Sequence, residues 1–155
     1  MDAVDKTDII LALSHTPTED YMAQMVARTK THEFRKLRYP DTVRRMWFYE
    51  TAPMSAITHV CEFVLGSARP AASEPTTAWH LPTGGIGNAE FNSYHPDWER
   101  YNFAYEIKSV TRLRVPVTLA TLKEEYGFKS APRGMVYVPS QLKADVQLDK
   151  QEWLW

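Results

Sequence analysis

The sequence predicts an α+β fold: a partly closed, mostly antiparallel β-barrel flanked by short helices. Three observations predict it. Strand-like runs follow one another without long helices between them, which argues against a doubly wound α/β sheet. The helix-like stretches are few and short. The strands are short as well, and closing their sheet into a barrel removes the exposed edges that such strands present. The chain of 155 residues is 44% hydrophobic and 24% charged, which suits a single domain over residues 1–155 with its own core.

Ile9-Ile10-Leu11-Ala12-Leu13 is an apolar run of buried-strand type. Thr16-Pro17-Thr18-Glu19 is a helix start, with Thr16 as the cap, Pro17 at the first helical position and Glu19 completing a capping box. Tyr21, Met22, Met25 and Val26 recur at helical spacing through about Arg28. From Thr31 to about Leu37 the pattern alternates and reads as a strand. Tyr39-Pro40-Asp41 is a turn, Arg45 to Glu50 is the next strand, and Pro53 ends it because it has no N–H for a ladder. Ile57 to Leu65 reads as a further strand.

Residues 66–85 read as a long mobile loop, with Trp79, His80 and Leu81 folding back over the body. Gly84-Gly85-Ile86-Gly87 is a turn without the spacing of a dinucleotide fingerprint. Asn88 caps a short helix through Tyr94, and His95 to Arg100 forms a turn or second short helix. Asn102 to Val110 is a long strand carrying Phe103, Tyr105 and Ile107 on one face, ended by Arg112 to Pro116. Thr118 caps a helix over Leu119 to Tyr126, and Gly127 stops it. Gly134 to Val138 is the last strand, and Pro139 begins a tail that closes with residues 146–155.

A net charge of -1 argues against non-specific binding of polyanions, so any nucleic acid is met by a local patch or as one nucleotide in a pocket. The single Cys61 excludes an internal disulfide framework and sits in an apolar run as core filler. His15, His32, His59, His80 and His95 show no metal-ligand spacing, and no metal or cofactor is expected. No apolar run approaches the ~20 residues needed to span a bilayer. Met1-Asp2-Ala3-Val4-Asp5 lacks the basic-then-apolar pattern of a secretory signal, so an intracellular protein, cytoplasmic or nuclear, is expected.

The stretch richest in chemistry is Arg28-Thr29-Lys30-Thr31-His32-Glu33-Phe34-Arg35-Lys36, at a helix-to-strand junction. Strand alternation puts Glu33 and Arg35 on one face, and His32, Phe34 and Lys36 on the other. Lys30 sits near a helix carboxyl end, where the dipole favours a cation. Glu33 and Arg35 can pair and leave the guanidinium fork aimed at a phosphate or carboxylate, or together read a base edge. Composition alone reads the same stretch as a solvated charged strand.

This stretch resembles the signature G-x-K-x-x-E-x-R of the ASCH domain, a small β-barrel family of the PUA-like superfamily related to YTH and EVE domains. Arg28, Lys30, Glu33 and Arg35 stand at its four places, with arginine replacing the glycine. Val43 to Pro53, Gly87 to Arg100, Tyr105-Glu106-Ile107 and Leu119 to Gly127 extend the resemblance over roughly residues 8–139. It implies a PUA-like barrel that binds RNA or a modified nucleotide in a cleft lined by Lys30, Glu33 and Arg35. Tyr49 and Thr51 are their companions, and Trp47, Trp79, Trp98 or Tyr105 stacks on a base. Some similar proteins are amidohydrolases of acylated cytidine, using a lysine, a threonine three residues later and a distant glutamate; ribonuclease activity is ascribed to others. That reading makes Lys30 the key group, with Glu33 and Glu106 as carboxylates, although Glu33 occupies the threonine position. A third reading is a protein-interaction domain using the aromatic tail and the 66–85 loop. Glycine at position 28 implies a backbone with positive φ, which arginine must either adopt or avoid.

Overall fold

The computed structural model describes residues 6–69 and 80–155. β1 (Asp8–Leu13) is followed by α1 (Tyr21–Val26), β2 (His32–Arg35), β3 (Arg45–Glu50), β4 (Ala56–Ala68) and α2 (Asn88–Asn92). After a 3-10 turn over Pro96–Trp98 come β5 (Phe103–Thr118), α3 (Leu119–Tyr126), β6 (Met135–Tyr137), α4 (Ser140–Val146) and β7 (Glu152–Trp153). The strands form one seven-stranded sheet in the order β2-β5-β4-β3-β1-β6, with β7 on β5. Only β1 with β3 is parallel; the other pairs are antiparallel. This is the α+β, mostly antiparallel, partly closed architecture that the sequence predicts.

Both faces of the central strands are buried, so β1 and β3 read as continuous apolar runs. Ile9, Leu11, Met46 and Phe48 pack with Met22, Met25 and Tyr105 in one core. Ile10, Trp47 and Tyr49 pack on the other face with Leu113, Leu122 and Leu142, under α3 and α4. A third, smaller cluster joins Phe34, Leu81, Phe91 and Ala104.

Several elements differ from their sequence reading. The cap of α1 is Asp20, whose carboxylate accepts from Ala23 N at 3.0 Å. Thr16 instead closes its own turn, its hydroxyl accepting from Thr18 N and Glu19 N. Asn88 does not cap α2; Gly87 does, in the left-handed region at φ 85°. Asn88 is fully buried and spends its amide on Thr31 Oγ1 and Pro82 O, which ties the turn before α2 to the start of β2. β5 runs on through Pro116, because the register between Ile57–Val117 and His59–Arg112 is irregular there and no ladder bond is demanded of the proline.

The chain after Pro139 forms α4 and β7. Arg112 bridges to Glu152 at 2.8 Å, and Trp155 Nε1 donates to Val26 O at 3.1 Å. Thr118 and Gly127 bound α3 as its sequence indicates. Of the 66–85 segment, residues 66–68 extend β4 and residues 70–79, including Trp79, lie outside the described residues.

Candidate functional site

β2 forms one end of the sheet, and the gap between it and the end of β1 is where the barrel stays unclosed. Arg35 crosses this seam: its Nη2 donates to Ala12 O at 3.1 Å. A cavity of about 540 Å³ opens there, a size that suits small-molecule ligands. Its wall includes Ala12 and Leu13 of β1, Glu19 and Tyr21 at the start of α1, Lys30, Glu33, Phe34 and Arg35 around β2, and Gly87, Asp97, Trp98 and Tyr101.

The turn that delivers Lys30 begins at Arg28. The N–H of Arg28 donates to Met25 O at 3.1 Å and that of Thr29 to Gln24 O at 3.0 Å, the two bonds of a Schellman stop. The residue at its hinge takes positive φ, and Arg28 does so at 64°. Arginine therefore adopts the geometry for which glycine is favoured. Its guanidinium does not enter the cavity; it lies over the Trp155 ring, 4.4 Å from the centroid. The N–H of Lys30 also reaches Gln24 O, so the stop sets the height of Lys30 directly.

Lys30, Glu33 and Arg35 form a chain of charges. Glu33 Oε2 accepts from Arg35 Nη2 at 2.9 Å, and Glu33 Oε1 stands 3.5 Å from Lys30 Nζ. Oε1 also takes the N–H of Phe34 at 3.2 Å. The Lys30 and Glu33 side chains are only 6% and 7% exposed, so both ions are withdrawn from water. Lys30 Nζ also sits 4.8 Å from the centre of the Phe34 ring.

Burial lowers the pKa of the Lys30 amine, and the attraction of Glu33 only partly restores it. Burial pushes the Glu33 carboxyl up, but Arg35 and Lys30 outweigh it and hold it below the usual carboxylate range. For Arg35, burial works against the cation, yet Glu33 raises its pKa overall. The floor of the cavity thus carries one positive charge in excess, while Glu19 and Asp97 add carboxylates to its wall.

Gly87 belongs to this wall for a steric reason. A Cβ there would stand 2.7 Å from Phe34 Cε2 and 3.3 Å from Trp98 Cζ2. Phe34 and Trp98 meet edge to face at 6.4 Å, which fixes two of the aromatic walls.

The other expected site residues go elsewhere. Tyr49 is 1% exposed and packs in the core on the far face of the sheet with Trp47, two residues away on the same pleat. Thr51 does not line the cavity; its N–H donates to Leu13 O at 3.1 Å. Tyr105 is paired with Glu33 across β2 and β5, but its ring stacks on Tyr39 at 5.3 Å. Its hydroxyl donates to Leu37 O and accepts from Tyr39 N, so it belongs to a separate cavity of about 190 Å³.

Glu106 pairs with Lys108 at 2.9 Å, with both side chains more than 40% exposed, and it does not line the cavity. His32 is buried on the other face, its Nδ1 2.8 Å from Thr31 Oγ1, and Lys36 is exposed. Trp98 is brought to the cavity with Lys30, Glu33 and Arg35. Cys61 is buried, and burial raises its thiol pKa far from the range of a nucleophile. Among the described residues no group of three or more His, Cys, Asp or Glu side chains is arranged to hold a metal, and no helix is long and apolar enough to cross a membrane.

Sequence reasoning missed Glu19, Tyr21, Asp97 and Tyr101 as wall residues. Tyr21 belongs by spacing to the apolar stripe of α1, and Phe34, which alternation puts on the face away from Glu33 and Arg35, walls the cavity with them beside Lys30. Tyr101 and Asp97 sit in an irregular segment with no periodicity to flag them.

The overall fold has counterparts among solved structures. An ASCH protein from Zymomonas mobilis superposes with a TM-score of 0.56 at 20% identity, over 96% of this chain and 98% of that one. A serine-to-alanine variant of the Zymomonas mobilis protein gives 0.61 at 16% identity, covering 97% and 100%. A tyrosine-to-phenylalanine variant gives 0.60 at 18%, covering 94% and 99%. The fold is that of an ASCH domain. No family model and no curated protein matches the sequence. The ASCH fold therefore persists here at an identity where the shape of the barrel, and not the sequence, carries the likeness.

Proposed function

We propose that this ASCH-fold chain binds RNA or a modified nucleotide, with one base inserted in the cavity beside β2. The observation that carries this reading is the cavity itself. A buried, net-positive floor of Lys30, Glu33 and Arg35 lies beneath aromatic walls from Tyr21, Phe34, Trp98 and Tyr101. Stacking of a base on such a wall contributes about 1–3 kcal/mol. Lys30 and Arg35 donate to the ligand, and Glu33 orients Arg35.

A thermal-shift and titration screen against nucleosides, modified nucleosides, nucleotides and short RNAs tests the reading. Binding that is weakened in Arg35→Lys, which keeps the charge but not the fork, supports it. No binding by any member of the panel would remove it.

One observation favours a second reading, a hydrolase in the same cavity with Lys30 as the key group. Burial makes the Lys30 amine a weaker base than a surface lysine, the direction that favours its use in proton transfer. Glu106 takes no part in this reading, since it points to solvent beside Lys108. Turnover of an acylated nucleoside or of short RNA, abolished in Lys30→Met, would favour it; binding without turnover favours the first.

A further inference from the structure

The polar groups on the cavity floor are not equally free. Glu33 is the acceptor there, and both its oxygens are occupied. Oε2 holds Arg35, and Oε1 holds the Phe34 N–H and faces Lys30. Ala12 O is occupied by Arg35 as well.

The donors, by contrast, are in surplus. Lys30 has three N–H bonds and a single carboxylate oxygen 3.5 Å away. Arg35 has five, of which Nη2 serves Ala12 and Glu33; its Nε is unpaired but closed off from solvent, so the donors it can offer a ligand are those of the guanidinium fork. Buried donors left unpaired are costly, and their pairing on binding is a large source of selectivity.

The wall bears the opposite charge. Glu19 and Asp97 are carboxylates of the same cavity, and they disfavour an anionic ligand. The floor asks for acceptors, and the wall asks that they be neutral.

We propose that the cavity recognises a neutral base edge carrying two adjacent acceptors with no donor between them. This deepens the base-binding reading and rests on it. Guanine offers such an edge through O6 and N7, and cytosine through O2 and N3. Adenine and uracil do not, since their acceptors alternate with N–H groups. Read this way, Glu33 does not contact the base. It is a positioning residue that holds the Arg35 fork and favours the charged form of Lys30.

The test is a titration of the intact protein with guanosine, 7-deazaguanosine, cytidine, 3-deazacytidine, adenosine and uridine, followed by tryptophan fluorescence and calorimetry. Guanosine or cytidine is expected to bind about 10-fold or more tightly than adenosine and uridine, the discrimination of one bidentate contact. If guanosine is the ligand, 7-deazaguanosine loses that advantage. If cytidine is, 3-deazacytidine, which lacks the N3 acceptor, loses it. Arg35→Lys is expected to flatten the ranking, with folding checked by the melting temperature.

Adenosine or uridine binding as well as the best of the others would overturn the proposal. So would displacement of the bound nucleoside by millimolar inorganic phosphate, which would make the floor an anion site. Failure of every nucleoside to bind, with oligonucleotides failing too, would instead remove the base-binding reading on which the proposal stands.

Discussion

The guanidinium of Arg28 lies over the indole of Trp155, 4.4 Å from the ring centroid, and so joins the end of α1 to the segment that follows β7. Trp155 is held from two further sides, by its Nε1 on Val26 O and its backbone N–H on Val110 O. The left-handed backbone at Arg28 costs about 1 kcal/mol relative to glycine. A cation over an indole returns a comparable ~0.5–2 kcal/mol. Arg28→Gly alone is therefore expected to change stability by less than about 1 kcal/mol, because strain relief and the lost stack offset each other. In a Trp155→Ala background the same change should stabilise by about 1 kcal/mol, since only the strain remains to be relieved. Chemical denaturation of the four proteins measures the coupling; simple additivity would contradict the compensation.

Arg35 holds the seam of the barrel as well as the floor of the cavity. Removing it leaves the buried Glu33 with Lys30 alone and frees Ala12 O. Arg35→Ala is expected to destabilise the fold by roughly 3 kcal/mol, the cost of breaking a buried pair. Arg35→Lys should cost less. Denaturation midpoints of the two variants compare the effects, and equal losses would mean that the charge contributes nothing at the seam.

Glu33→Gln leaves two cations, Lys30 and Arg35, facing each other without a carboxylate between them. The Lys30 amine, already lowered by burial, then loses the attraction that partly restores it. Its pKa is expected to fall further. The amine resonance of isotope-labelled lysine, followed against pH, reads this directly; an unchanged or higher pKa would refute the coupling.

His59 supplies an acid-sensitive element away from the cavity. Burial first, and then Arg112, lowers its pKa to about 4, while Asp20 pulls weakly the other way. Its Nδ1 lies 2.8 Å from Thr58 Oγ1, which donates to Glu50. The unfolded value is about 6.5, so the unfolded chain takes up this proton first as the pH falls. The stabilisation is complete above about pH 6.5 and is lost as the pH drops through 4. It is on the order of 2–3 kcal/mol. His59→Gln should flatten the fall in melting temperature over that window. His32, also lowered by burial, leaves a smaller slope of the same sign.

What the sequence determined by itself is local. Thr118 and Gly127 bound α3 because a cap and a left-handed stop are each decided within one turn. Glycine at the signature position implied positive φ at residue 28, and the arginine adopts it. Contiguous strand runs were enough for the sheet, while the alternation in 31–37 separated Glu33 and Arg35 from His32 but failed for Phe34, whose ring walls the same cavity. The tertiary structure decided the rest, because the cavity is a long-range object. Its walls come from α1, the segment around Trp98 and the open seam between β1 and β2, elements that no periodicity relates. Tyr49 and Tyr105 fell outside it for the same reason: the pleat and the Tyr39 stack, not their closeness to the motif, set where their rings point. Only the folded chain could show that both oxygens of Glu33 are already taken, and hydrogen-bond partners settle which groups remain free for a ligand.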